Sequence, residues 1–135
     1  VPDHRDQQGL SVRRFALSCL AGLLLGAAPI AQAAGNPTEG RAVFENLCAD
    51  CHTVTPGKNK RGPSLAGVIG RAAGTAKNYH YSEAVARSGI TWTPDRLARY
   101  ITAPKSDLPG TKMRMLEKPT AQEVDDLIAW LQQQK

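Results

Sequence analysis

Two stretches of the chain carry a clear helical alternation of apolar and polar positions. Gly40, Val43, Phe44 and Leu47 recur at i, i+3, i+4 and i+7, and Val124, Leu127, Ile128 and Leu131 repeat that spacing near the C-terminus, with Trp130 beside them. Each stretch predicts a helix with one buried face. Asn36-Pro37-Thr38-Glu39 supplies a start for the first: Asn can cap, Pro takes the first helical position, and Glu stands three residues past the cap. Thr120 and Glu123 give the last helix a capping box of its own. A glycine within a helix costs roughly 1 kcal/mol against alanine, so Gly40 on the apolar face predicts a close crossing, with the last helix as partner.

Shorter elements lie between these two. Ser82 to Ser88 predicts a short helix ended by Gly89. Another starts at Thr93-Pro94, sets Leu97, Tyr100 and Ile101 on one face, and stops near Ala103 because Pro104 follows. Thr53 to Pro63 is a loop by composition, and Ser64 to Asn78, interrupted by Gly67, Gly70 and Gly74, predicts coil with at most one turn. No stretch shows a period-two strand pattern. The predicted class is all-α, with loops arranged around a cofactor.

Ahead of this domain, Arg13-Arg14, the apolar run from Phe15 to Ile30, and Ala31-Gln32-Ala33 as a small-x-small site form an export signal. Cleavage is expected after Ala33, giving a signal over residues 1–33 and one domain over 34–135. The apolar run is nearly long enough to stay as a membrane anchor, but Pro29 and Gln32 near its end favour cleavage. Cys19 follows the arginines too closely for a lipid-attachment site and is an apolar signal residue. The expected destination is the periplasm by the general secretory route, with a periplasm-facing, signal-anchored form as the alternative. Val1 to Ser11 are polar and sit oddly before a signal, which suggests translation starting at Val12; mass spectrometry of a precursor containing those residues would contradict that start.

The 135 residues are 41% hydrophobic, ordinary for one globular domain, but only 5% aromatic, so a bulky cofactor would supply apolar volume that ring side chains do not. Residues 1–33 hold three of the 17 basic and two of the 12 acidic side chains, which leaves the remainder at +4. That charge is too small and too dispersed for nucleic acid, and it points to an acidic protein partner.

The most specific chemistry is Cys48-Ala49-Asp50-Cys51-His52. Two thiols three positions apart can add across the two vinyl groups of one haem, and the histidine that follows is placed to ligate its iron. A thioredoxin-type pair needs a βαβ setting that the pattern does not supply. Zinc needs four ligands, and beyond the motif only Cys19, His4 and His80 remain. Covalent attachment of one haem c is the reading carried forward.

Further runs follow in order: Gly62-Pro63, Gly70-Arg71, Gly89-Ile90-Thr91-Trp92, Pro109-Gly110-Thr111-Lys112-Met113 and Leu127-Ile128-Ala129-Trp130-Leu131. With Cys48 to Thr53 they make the chain from Gly40 to Leu131 resemble the class I c-type cytochromes, the mitochondrial and bacterial mobile electron carriers. The resemblance implies a fold of crossed N- and C-terminal helices with shorter helices and loops around one covalently bound haem. It implies His52 and Met113 as the two iron ligands, Cys48 and Cys51 as thioether attachment points, and a hydrogen bond from the His52 ring to the Pro63 carbonyl. It further implies Tyr81, Trp92 and Thr111 as donors to the haem propionates, Arg71 near that charge, and Tyr100 near Met113. Met115 is then core packing and His80 an exposed loop residue. Two departures stand out: Val85 where mitochondrial members usually carry Asn, and Arg114-Met115 in place of an apolar-Phe pair.

A neutral thioether favours reduced iron, and two filled axial positions leave no place for a substrate, so the implied role is one-electron transfer and not catalysis. The leading expectation is a soluble, monomeric carrier between membrane complexes of respiration or photosynthesis, without a stable anchor. Lys58, Lys60, Arg61, Lys105, Lys112 and Arg114 are its candidate docking charges. The alternative is a dedicated haem subunit of a periplasmic dehydrogenase, which an extensive exposed apolar patch would favour.

Overall fold

The structure, a computed structural model, describes residues 34–135; the expectations about export, anchoring and translation start fall on residues outside it. Helix α1 (Pro37–Val43) begins as its sequence dictates: Asn36 is extended and its side chain accepts from the Thr38 N–H at 2.9 Å. The Asn36 N–H does not turn to Glu39. It donates to Asp126 Oδ1 at 2.7 Å, so a side chain of the last helix takes the place expected for a local capping box. Past Val43 the helix widens into a π-helical turn, Phe44–Cys48, in which the Ala49 N–H reaches back to the Phe44 carbonyl at 2.8 Å. Such turns recur at functional sites, and here the turn ends on Cys48, whose side chain is buried.

Helix α5 (Ala121–Leu131) carries both halves of its capping box and buries Val124, Leu127, Ile128 and Leu131, the four positions of the apolar repeat. Its crossing with α1 is as close as Gly40 predicts. A Cβ on Gly40 would stand 1.9 Å from the Asp126 carbonyl oxygen and 2.8 Å from Trp130 Cβ, which no real side chain could occupy. One turn along, the Phe44 and Trp130 rings pack with centroids 4.9 Å apart.

The short elements follow prediction, with one addition. Helix α2 (Glu83–Ala86) is capped by Ser82, and α3 (Pro94–Thr102) is capped by Thr93 and buries Leu97, Tyr100 and Ile101. Pro104 ends α3, yet it also opens a further single turn, α4 (Pro104–Asp107), because its fixed φ and missing N–H suit a first helical position as well as they bar an interior one. The segment 64–78 is coil, but with more than one turn: successive tight turns close at Gly67, Gly70, Gly74 and Asn78. Asn78 takes a left-handed φ of 56°, which asparagine tolerates better than most side chains. Among the described residues no strand forms. A single antiparallel bridge joins Ala72 to Thr91, and beside it the Trp92 N–H donates to the Arg71 carbonyl at 2.9 Å, which sets Arg71 and Trp92 together.

Candidate functional site

The crossed helices form one wall of a cavity of about 360 Å³, within the ~300–1,000 Å³ typical of cofactor sites. Around it stand all ten residues that the sequence nominates: Cys48, Cys51, His52, Pro63, Arg71, Tyr81, Trp92, Tyr100, Thr111 and Met113. Leu127 and Leu131 of α5 close its apolar back.

His52 follows directly on the turn that ends α1, its N–H bonded to the Cys48 carbonyl at 2.9 Å. The next loop folds back over the motif: the Gly62 N–H donates to the Cys51 carbonyl at 2.7 Å, and Lys60 Nζ to the Ala49 carbonyl at 2.5 Å. This brings the Pro63 carbonyl to 2.8 Å from His52 Nδ1. With Nδ1–H donating there, Nε2 keeps its lone pair for a metal. Burial holds the ring's pKa below its ordinary 6.5, against the opposing pull of the Pro63 bond, so the imidazole stays neutral as a ligand must be. Gly62 is fixed by the same ring: a Cβ there would lie 2.2 Å from His52 Cε1. Burial, then the neighbouring Cys51, push the Cys48 thiol up to about 11.

Arg71 lies across the cavity. Its guanidinium donates to the Ala66 carbonyl at 2.8 Å and the Ser64 carbonyl at 2.9 Å, while Nε is buried without a partner. A buried donor left over on a cation fits an anionic group inside the cavity. The Tyr81 hydroxyl accepts from the Ala76 N–H at 3.2 Å, leaving its own proton to donate, and the buried indole of Trp92 packs against the Tyr100 ring with centroids 4.9 Å apart.

On the remaining side, buried Thr111 organises the methionine loop. Its hydroxyl is hydrogen-bonded to Tyr100 Oη and accepts from the Met113 N–H at 3.2 Å. Burial raises the Tyr100 pKa, which keeps the phenol neutral and able to donate. From Lys112 to Leu116 exposure alternates: Lys112, Arg114 and Leu116 face solvent, Met113 and Met115 turn inward. Met115 packs against the hydrophobic core as expected, but it also lines the cavity, as does buried Val85. His80 is exposed.

These features fit a haem. The cavity offers two thiols and a neutral imidazole on one side, a thioether on another, and a buried Arg71 N–H with no partner among the described residues, which suits a propionate. The rival readings of the motif find no support, since no βαβ unit surrounds it and, among the described residues, no three His, Cys, Asp or Glu side chains gather to hold a metal by themselves.

The family model for cytochrome c matches residues 37–135. The chain belongs to the cytochrome c family. Over 98 residues it is 49% identical to a cytochrome c2 of Rhodopila globiformis, covering 73% of this chain and 92% of that one. A cytochrome c2 of Blastochloris viridis is 45% identical over 114 residues, 83% of this chain and 89% of the relative. Among solved structures, cytochrome cH from Methylobacterium extorquens superposes with a TM-score of 0.68 at 38% identity, covering 74% of this chain and all of that one. The chain is thus a c-type cytochrome with one covalently bound haem c, a class I fold and an electron-transfer role, not an enzyme.

Sequence reasoning missed three residues that brace the fold around the cavity without lining it. Asn59 joins two loops, donating to the Lys77 carbonyl at 2.9 Å and the Asn78 carbonyl at 3.1 Å while accepting from the Ser64 N–H at 2.9 Å. Asp126 ties the two long helices. Asp107 pairs with Arg96, and both side chains are largely buried. Each acts through partners remote in the chain, so local spacing carried no sign of them.

Proposed function

We propose that His52 and Met113 are the axial ligands of the haem iron, that Cys48 and Cys51 carry the thioether bonds, and that the protein is a soluble periplasmic carrier. The observation that supports this most is that one cavity is lined by both His52, with Nε2 unengaged, and Met113. When bound, the haem supplies reversible gain and loss of one electron at iron. The protein's part is to keep that change small in its surroundings. Pro63 fixes the imidazole's tautomer, Thr111 and Tyr100 fix the methionine loop, and Arg71, Tyr81 and Trp92 offer donors to the propionates, so little needs to reorganise when charge changes.

Arg61, Lys112 and Arg114 stand at the cavity mouth, and Lys58, Lys60 and Lys105 add to the surrounding positive charge. This face suits a transient encounter with an acidic redox partner of a membrane complex, steered by charge. Leu116, 78% exposed, is the sole large apolar side chain standing out among the described residues, so no extended apolar patch supports a permanent dehydrogenase subunit. Among those residues, too, no helix is long and apolar enough to cross a membrane.

The test is a redox titration of the native holoprotein with carbon monoxide added to the reduced form at neutral pH. A reversible one-electron couple with no carbon monoxide adduct is expected. Ready formation of the adduct would reveal an open iron position and contradict the assignment.

A further inference from the structure

The loop that carries Met113 is anchored from outside itself. Thr111 is only 2% exposed, and besides its hydroxyl contacts its carbonyl accepts a hydrogen bond from Lys105 Nζ. Lys105 belongs to α4, a four-residue turn too short to be stable alone. What holds α4 in place is Asp107. A carboxylate near the C-terminal end of a helix opposes the local dipole, so this one is unfavourable for α4 by itself. Its Oδ2 takes Arg96 Nη1 of α3, its Oδ1 lies 3.9 Å from Arg99 Nε, and the Arg96 and Asp107 side chains are 18% and 14% exposed. Contacts therefore run from α3 through Arg96 to Asp107 of α4, and from Lys105 of the same turn to the Thr111 carbonyl, two residues before Met113.

We propose that Arg96, Asp107 and Lys105 are positioning residues that latch the methionine loop and keep Met113 available to the iron. The latch rests on Met113 being the ligand. It also gives Lys105 a role beyond surface charge. Loosening it leaves Met113 and the haem cavity chemically intact but lets the loop swing away more readily, so a competing ligand gains access.

Imidazole, which competes with a methionine for oxidised haem iron, is the probe. In the oxidised holoprotein at fixed neutral pH, Asp107→Asn and Lys105→Met are each expected to bind imidazole about tenfold more tightly than the native protein, a part of what breaking a buried pair costs. Lys105→Arg, which keeps a donor for the Thr111 carbonyl, should stay near native. Asp126→Asn weakens the α1–α5 crossing without touching the latch and should also leave imidazole affinity near native. Native affinity in both latch variants would overturn the proposal. So would an equal rise in Asp126→Asn, which would mean that general loosening of the fold is enough. A native oxidised spectrum without a sulfur-to-iron band would instead defeat the Met113 assignment on which the latch depends.

Discussion

At the scale of single residues, the site works by leaving particular atoms free. His52 spends Nδ1 on Pro63 and keeps Nε2; Thr111 spends its hydroxyl on Tyr100 and Met113 and its carbonyl on Lys105. Arg71 is the counterpart of these satisfied groups, a half-buried cation whose buried Nε has no partner among the described residues. Beside a bound haem its positive charge would favour the reduced form, which carries one electron more. Arg71→Met is therefore expected to lower the midpoint potential by on the order of 50 mV, about 1 kcal/mol of lost charge interaction. A redox titration of the variant checks this, and an unchanged or raised potential would place Arg71 outside the haem's field. The attachment motif with its adjacent histidine was legible as residue types at a set spacing, whereas Met113 came from the resemblance to the family. The pairing of Arg71 with carbonyls at 64 and 66 was not, because it depends on the path of a glycine-rich coil.

Among elements, the crossing of α1 and α5 decides the fold. The apolar repeats predicted both helices, and Gly40 predicted where they touch, because only an absent side chain explains a glycine on a buried helical face. Gly40→Ala would drive its Cβ into the Asp126 carbonyl, so the loss of stability should be at least the ~1–3 kcal/mol of ordinary overpacking, despite alanine's better helix propensity. Denaturant unfolding of the holoprotein checks it; unchanged stability would mean that the helices part without cost. The capping box at the start of α5 makes a separate, pH-dependent contribution. The Thr120 N–H, then its hydroxyl, hold the Glu123 carboxyl below its ordinary 4.5. Glu123's folded pKa is thus the lower one, so its contribution is complete above about pH 4.5 and is lost as pH falls through the folded value. Glu123→Gln should flatten the acid side of the stability profile, and an unaltered profile would show that the carboxylate is not engaged. Helix α4 lies outside what the sequence pattern predicts, since Pro104 reads there as a stop, though proline opens a turn as readily as it ends one.

At the scale of the whole molecule, the described residues form a small scaffold around a cavity that fits a cofactor. Low aromatic content and a net charge of +5 over the full chain narrowed the class of protein, while the overall resemblance, and not composition, supplied the propionate donors and the distal ligand. Bonds between distant segments, those of Asn59 and Asp126 above all, were beyond local reading because the partners are far apart in the chain. If the positive face steers docking, the second-order rate of electron transfer with an acidic partner should fall steeply as salt shortens the Debye length to about 8 Å at physiological strength and below. Stopped-flow rates across ionic strength check this; a flat dependence would remove the steering role from Arg61, Lys112 and Arg114.

The central claim is a closed six-coordinate iron with Met113 opposite His52. The most direct measurement is the near-infrared spectrum of the oxidised holoprotein beside that of Met113→Ala. The account predicts a weak sulfur-to-iron band in the native protein and its loss in the variant. A band that survives the substitution, or is missing from the native protein, would contradict it.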